Sequence, residues 1–195
     1  MKNFIITSVL FLISVPAIAQ DAGMFGLTFR IGGSSSIGAI YNPIANLAIR
    51  PSISLVTSTS ESIDDDGEER FGSFESEGIN VGYGLAMQYY LHTWNDLAAY
   101  IGIGGSYSTS KDVSTTTQRS SFQDTTYSRT TKTERTGING FLGVQYNLVK
   151  WFALHAEIGG GYSFNKTEYV EDPSRRSKGN SFSLSNSGVG IIVYF

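Results

Sequence analysis

Few residues in this chain have side chains suited to chemistry. There are two histidines, His92 and His155, and no cysteine in 195 residues. His155 and Glu157 stand two apart, so in an extended strand they share a face. A His–carboxylate pair of that kind could do acid–base work. The other reading is structural: a charge network of Arg30, Arg50, His155 and Glu157, bridged by Gln88 or Gln145, inside the fold. No Cys/His cluster has zinc-site spacing. Asp64, Asp65, Asp66, Glu68 and Glu69 form an acidic run that could attract a divalent ion, but they lack the alternating acids and downstream Glu of a calcium loop. A solvated acidic loop is the alternative there. No cofactor and no enzymatic activity are expected.

These residues are carried by a chain with a distinctive start. Lys2 precedes an apolar run from Phe4 to Val15, and Ala17-Ile18-Ala19 before Gln20 has the form of a cleavage site. Residues 1–19 are therefore read as a signal peptide and 20–195 as the mature domain. Lys2 is the only charged residue of the leader, so its removal takes the net charge from −3 to −4. A mildly acidic chain has no general attraction for nucleic acid. With no cysteine, an exported chain relies on no disulfide.

Read with a period of two, the mature chain gives eight candidate strands. Gly78–Leu91 is the clearest: Ile79, Val81, Tyr83, Leu85, Met87, Tyr89 and Leu91 alternate with Asn80, Gly82, Gly84, Ala86, Gln88 and Tyr90. The others lie at about 24–32, 35–41, 47–57, 97–107, 137–148, 152–164 and 182–195. In each, one face is apolar and aromatic while the other is Gly, Ser, Ala, Asn or Gln. A soluble sandwich would bury the bulky face; here the opposite face is too small to fill a wide core. Apolar outside and polar inside is the pattern of a membrane barrel, and only a closed barrel satisfies every strand N–H and C=O within lipid.

Charge placement agrees. Only Arg30, Arg50 and Glu157 lie well inside candidate strands, the first, third and seventh, and all three fall on the non-apolar face. A Lys or Arg facing lipid at mid-bilayer costs roughly 2–4 kcal/mol. Glu157 is expected to pair with at least one of the two arginines across a narrow lumen. Pro51 sits on the outward face of the third strand and donates no ladder bond, so a bulge or a different register is expected there.

Connection lengths alternate, except that the first hairpin, around Gly33-Ser34, is short and breaks the rule on its side. Tight ones fall at 42–46, 92–96 and 149–151; long polar ones fall at 59–77, 108–136 and 165–181. Short periplasmic turns and long external loops give this order. Trp94 and Trp151 sit at the short turns and, with Tyr41, Tyr89, Tyr90, Tyr146, Phe152, Tyr194 and Phe195, would form a periplasmic aromatic belt. Tyr83, Tyr107, Tyr162 and Phe164 would form the second. The segment 125–131 alternates Thr and Tyr, consistent with strands that run on past the bilayer as a protruding sheet or with a plain hairpin extension.

The ending Gly188-Val189-Gly190-Ile191-Ile192-Val193-Tyr194-Phe195 resembles the C-terminal assembly signal of outer-membrane barrels, with Gly190, Val193 and Phe195 at its key places and Gly188 where a polar residue is frequent. The mature chain as a whole resembles the small OmpA/OmpX/Opa-like outer-membrane β-barrel family. That resemblance implies an all-β, eight-stranded, antiparallel, transmembrane up-and-down barrel in the outer membrane of a Gram-negative bacterium. It implies outer-membrane lipid and the barrel-insertion machinery as partners. The function expected is structural or surface-interacting, through the external loops and a surface ligand or host-cell partner. The runner-up is a narrow porin-like pore for ions or small solutes. A third reading, an envelope lipid-modifying enzyme, would need His, Ser and Asp at the external rim, and neither histidine is placed there.

Overall fold

In the computed structural model the residues described are 22–32, 35–65, 71–119, 124–172, 174–184 and 187–195. The leader, Gly33, Ser34, Asp66, Glu68 and Glu69 thus lie outside the described residues.

Alternating sequence becomes strand throughout. The segments are β1 (Phe25–Gly32), β2 (Ser36–Ile44), β3 (Leu47–Asp65), β4 (Phe71–Trp94), β5 (Leu97–Arg119), β6 (Asp124–Val149), β7 (Phe152–Tyr169), β8 (Arg176–Ser183) and β9 (Gly188–Tyr194). Each pairs antiparallel with its neighbour in sequence up to β7, which pairs with both β8 and β9; β9 pairs with β1 and closes the ring. At the seam Phe195 N–H donates to the Phe25 carbonyl at 2.9 Å, and the two rings stack at 6.2 Å.

The wall therefore has eight strands, the eighth in two pieces. A single strand over 182–195 is the sequence expectation, and the structure corrects it. Gly161 pairs with Ser183 but Glu157 pairs with Gly188, so the register against β7 shifts by one residue between the two pieces. Such a shift inverts the phase: Phe182 faces outward before it in sequence, and Val189 faces outward after it.

Two-residue turns close three hairpins at one end, at 45–46, 95–96 and 150–151. Strands reach closer to these turns than the sequence suggests, to Ile44, Trp94 and Val149. Asn95 takes φ 51°, a left-handed geometry that Asn tolerates in tight hairpins.

At the opposite end the difference from expectation is larger. The segments 59–77, 108–136 and 165–181 are mostly strand, leaving only 66–70, 120–123 and 170–175 between strands. Their Ser and Thr side chains match across the ladder: Thr117 with Thr126 (3.3 Å), Thr133 with Thr167 (3.2 Å) and Ser163 with Ser181 (2.9 Å). β-Branched residues in cross-strand pairs favour the pleated state even without a buried face. Asp64 and Asp65 are the end of β3, paired with Gly72 and Phe71, rather than part of a loop. At about 3.3 Å per residue the 26 residues of β6 span roughly 85 Å, against a membrane strand's need of about 9–11 residues.

The wall is lopsided as a result. β1, β2 and β9 have 8, 9 and 7 residues and stop where the apolar band stops. The β2–β3 ladder ends at Ser36–Ser54. Beyond it β3, β4, β5, β6, β7 and β8 continue as an open sheet with two edges, 55–65 of β3 and 176–183 of β8. Pro51 is exposed and keeps an unbroken register with β4, opposite Leu85. The recorded β2–β3 pairs, Gly38–Ser52 and Tyr41–Ile49, step over it, and the shift in that ladder comes later, between Tyr41 and Ile44.

The outward face is the apolar one: Ile138 and Ile158 are 61% and 65% exposed, whereas Gln88 and Gln145 on the inner face are buried. Trp94, Trp151, Tyr41 and Tyr146 ring the turn end; Tyr83, directly opposite Tyr107, and Phe164, 4.9 Å from Tyr162, lie towards the other. Two expected belt residues do not belong there. Tyr90 and Tyr194 are buried inside the barrel, because their even positions share the phase of Gln88 and Ile192.

Candidate functional site

The inward side chains form three layers along the barrel axis. At the turn end, Tyr90 Oη receives a hydrogen bond from Gln88 Nε2 (2.8 Å) and donates to Gln145 Oε1 (3.0 Å); Gln145 Nε2 donates to Asn147 Oδ1 (2.8 Å) and Tyr194 Oη (3.3 Å). Ile40, Ala48, Ala98, Ala153 and Ile192 fill the space between them. This is a packed core in which hydrogen bonds join Tyr90, Tyr194, Gln88 and Gln145, while Gln88 Oε1 is left without a partner.

The middle layer carries the charges. Glu157 Oε1 lies 2.6 Å from Arg50 Nη1, and Oε2 lies 3.1 Å from Arg30 Nη1. Tyr100 Oη donates to Glu157 Oε1 at 3.0 Å. His155 Nδ1 stands 3.5 Å from Tyr100 Oη and 3.7 Å from Glu157 Oε1. The Arg50 guanidinium sits over the Phe141 ring at 5.4 Å, within cation–π range. Tyr100 joins the layers, edge-on to Tyr90 at 5.6 Å and to Phe141 at 6.4 Å. One carboxylate thus faces two guanidinium groups, a phenol and an imidazole, with its side chain 1% exposed.

Glycine makes room for these large groups. A Cβ on Gly143 would run into the Tyr100 ring, and one on Gly190 would meet His155 Nε2 and the Phe29 carbonyl. Gly190, expected as part of an assembly signal, is thus also the wall position that accepts the imidazole. Val193 lies on the outer surface, paired with Leu27 and Phe152.

The third layer is hollow. Above the arginines the inner face turns to Ser52, Ser54, Gly82, Gly84, Gly104, Ser106 and Asn139, which line a cavity of about 480 Å³ on the side of the protruding sheet.

This ring of eight antiparallel strands, apolar outside and polar within, superposes on the crystal structure of a major outer membrane protein from Thermus thermophilus with a TM-score of 0.53, at 14% identity, over 88% of this chain and 98% of the other. The chain has the fold of an outer-membrane β-barrel. Weaker likenesses are to Acinetobacter baumannii CarO (TM-score 0.40, 10% identity, covering 89% and 98%) and to Ail, the attachment invasion locus protein of Yersinia pestis (0.28, 12%, 88% and 94%). Scores that low carry no further argument. No protein-family model and no curated protein matches the sequence.

Within the barrel the four residues read as a lumen network, Arg30, Arg50, His155 and Glu157, come together in one layer. His92 is elsewhere, edge-on to Trp94 at 4.4 Å near a turn. The acid–base reading of His155 meets a geometric obstacle: Glu157 is occupied by both arginines and Tyr100, and the imidazole is buried against Gly190. Of the acidic run, only the backbone of Asp64 and Asp65 is described; among the described residues no three His, Asp or Glu converge as metal ligands. Sequence reasoning missed Tyr100 and Phe141, the aromatic pair that joins the charge layer to the core. Their signal was phase alone: each lies one residue away from an outward Ile101 or Leu142.

Proposed function

We propose that the protein is exported by residues 1–19, resides in the outer membrane of a Gram-negative bacterium, and acts at the cell surface through its protruding sheet, without catalysis and without a cofactor. The supporting observation is the lopsided wall. Seven-to-nine-residue strands suffice to close the barrel in the apolar band, yet six strands run far beyond it. In the same orientation, the short turns face the periplasm and the hollow layer opens outward.

The sheet ends in two unlike edges. Along β3 and its neighbour β4 stand Glu61, Glu75 and Glu77; along β8 stand Arg176 and Lys178. An edge strand offers unpaired N–H and C=O groups to an extended segment of a partner, and opposite charge at the two edges selects between segments. Outer-membrane lipid covers the apolar band, and the insertion machinery reads the end of β9 with Phe195. The narrow-pore reading has a specific difficulty: buried, hydrogen-bonded Tyr90, Tyr194, Gln88 and Gln145 lie across the lumen at the turn end.

The chain has no native cysteine, so single substitutions report cleanly. Gly179→Cys, at an exposed β8 position where a side chain meets nothing, should be labelled by a membrane-impermeant maleimide on intact cells, and Ala45→Cys only after lysis. The reverse pattern would invert the orientation. The protein should fractionate with the outer membrane and shift in mobility on boiling, and Phe195→Asp should slow its insertion. Planar bilayers should record no steady conductance.

A further inference from the structure

The hollow layer has a chemistry of its own. Among the described residues its charged lining side chains are Arg30, Arg50 and Arg135, and no carboxylate lines it. Glu157 lies beneath, engaging Arg30 and Arg50 from below. Three guanidinium groups therefore face one cavity, the inner two sharing the single carboxylate of Glu157. For that enclosed pair the one positive charge in excess is costly unless an anion or water offsets it.

The arginines are held rather than mobile. Arg50 is 7% exposed and fixed between Glu157 and the Phe141 ring. Arg30 Nε is buried and has no hydrogen-bond partner. Arg135, exposed at the rim, is oriented by its Nε–H bond to Asn165 Oδ1 at 2.8 Å. Around them, Ser52, Ser54 and Ser106 turn hydroxyls inward. Hydroxyls donate or accept, so they suit hydroxyls on a ligand, while guanidinium forks suit a carboxylate or phosphate. The volume, about 480 Å³, lies in the range of small-molecule sites.

We propose that this vestibule is a binding site for a small hydroxylated anion, bearing one carboxylate or phosphate group, that enters from the outer end. The anion docks on the arginine floor and the serines take its hydroxyls. The plug beneath stops it from passing, so the site binds rather than conducts. It is separate from the sheet edges, and either could fail without the other.

The test is titration calorimetry on the folded barrel in detergent, with glucuronate and glucose 6-phosphate as probes, inorganic phosphate to separate the charged group from the hydroxylated body, and glucose as the neutral control. At least one of the two sugar anions should bind saturably at millimolar concentration, more tightly than inorganic phosphate, and weaken with added salt; glucose should not bind. Ser106→Phe fills the cavity from the wall opposite Gly137 and should weaken binding by about tenfold or more. Arg135→Gln, at the rim and outside the packed layers, should weaken it several-fold with an unchanged unfolding midpoint, which keeps the test decisive if Ser106→Phe folds poorly. Glucose binding equal to glucuronate, no saturable binding of either sugar anion, or an affinity untouched by Arg135→Gln would overturn the proposal and leave a water-filled void.

Discussion

The two halves of the barrel interior are walled by the same strands in the same phase, yet one is a packed core and the other a hollow. On β5 the inward series runs Ala98, Tyr100, Gly102, Gly104, Ser106; on β4 it runs Tyr90, Gln88, Ala86, Gly84, Gly82. Past Tyr100 on β5 and Gln88 on β4, only Gly, Ala and Ser remain in the direction of the protruding sheet, and the charged layer sits where the series change. An eight-stranded barrel is just wide enough for side chains to fill, so inward residue size decides locally between plug and vestibule. The turn end is packed by large side chains, and the end towards the protruding sheet is left hollow.

That contrast predicts an ordered set of mutational effects. The largest belongs to the boundary. Glu157→Ala leaves two guanidinium groups facing each other and removes the acceptor of Tyr100; breaking a buried pair in this way costs about 3–5 kcal/mol. Urea unfolding in matched lipid should show it, and a loss well under that range would mean that water already screens the layer. Gly143→Leu comes next. Its side chain must displace the Tyr100 ring, an overpacking of about 1–3 kcal/mol, seen as a lower unfolding midpoint. Ser54→Ala, in the hollow half, should change stability by no more than about 0.5 kcal/mol. If Ser54→Ala rivalled Gly143→Leu, the two halves would not differ in packing and the contrast would fail.

How much of this was legible in the sequence varies by region. Where one face is apolar, period two carries strong information: the alternation from Ile79 holds residue by residue through β4 as far as Tyr90, the register with β5 shifting at Leu91, and Arg30, Arg50 and Glu157 lie on the inner face. Beyond the band both faces are Ser and Thr, so the period vanishes while the strands continue; the stretches read as loops at 59–77 and 108–136 are therefore mostly ladder. The register shift between β8 and β9 is similarly silent, because a change of one residue inverts phase without an obvious marker. Tyr90 and Tyr194 depart from expectation for another reason. Nearness to turns groups them with Trp94 and Trp151, whereas their phase points inward. Aromatic residues in a barrel must be sorted by phase first, since Tyr serves equally at an interface and, with its hydroxyl partnered, in a core.

The central claim is that adjacent residues of one strand face lipid and lumen in the inside-out sense. Ile138 and Asn139 on β6 put it to a direct test: Ile138 is exposed on the apolar outer surface, and Asn139 lines the cavity. Nitroxide labels on Ile138→Cys and Asn139→Cys in the cysteine-free barrel, reconstituted in bilayers, can be relaxed by lipid-soluble oxygen or by a water-soluble nickel chelate. The account predicts oxygen-dominated relaxation at position 138 and nickel-dominated relaxation at 139. The reverse order, or nickel access at both, would contradict it.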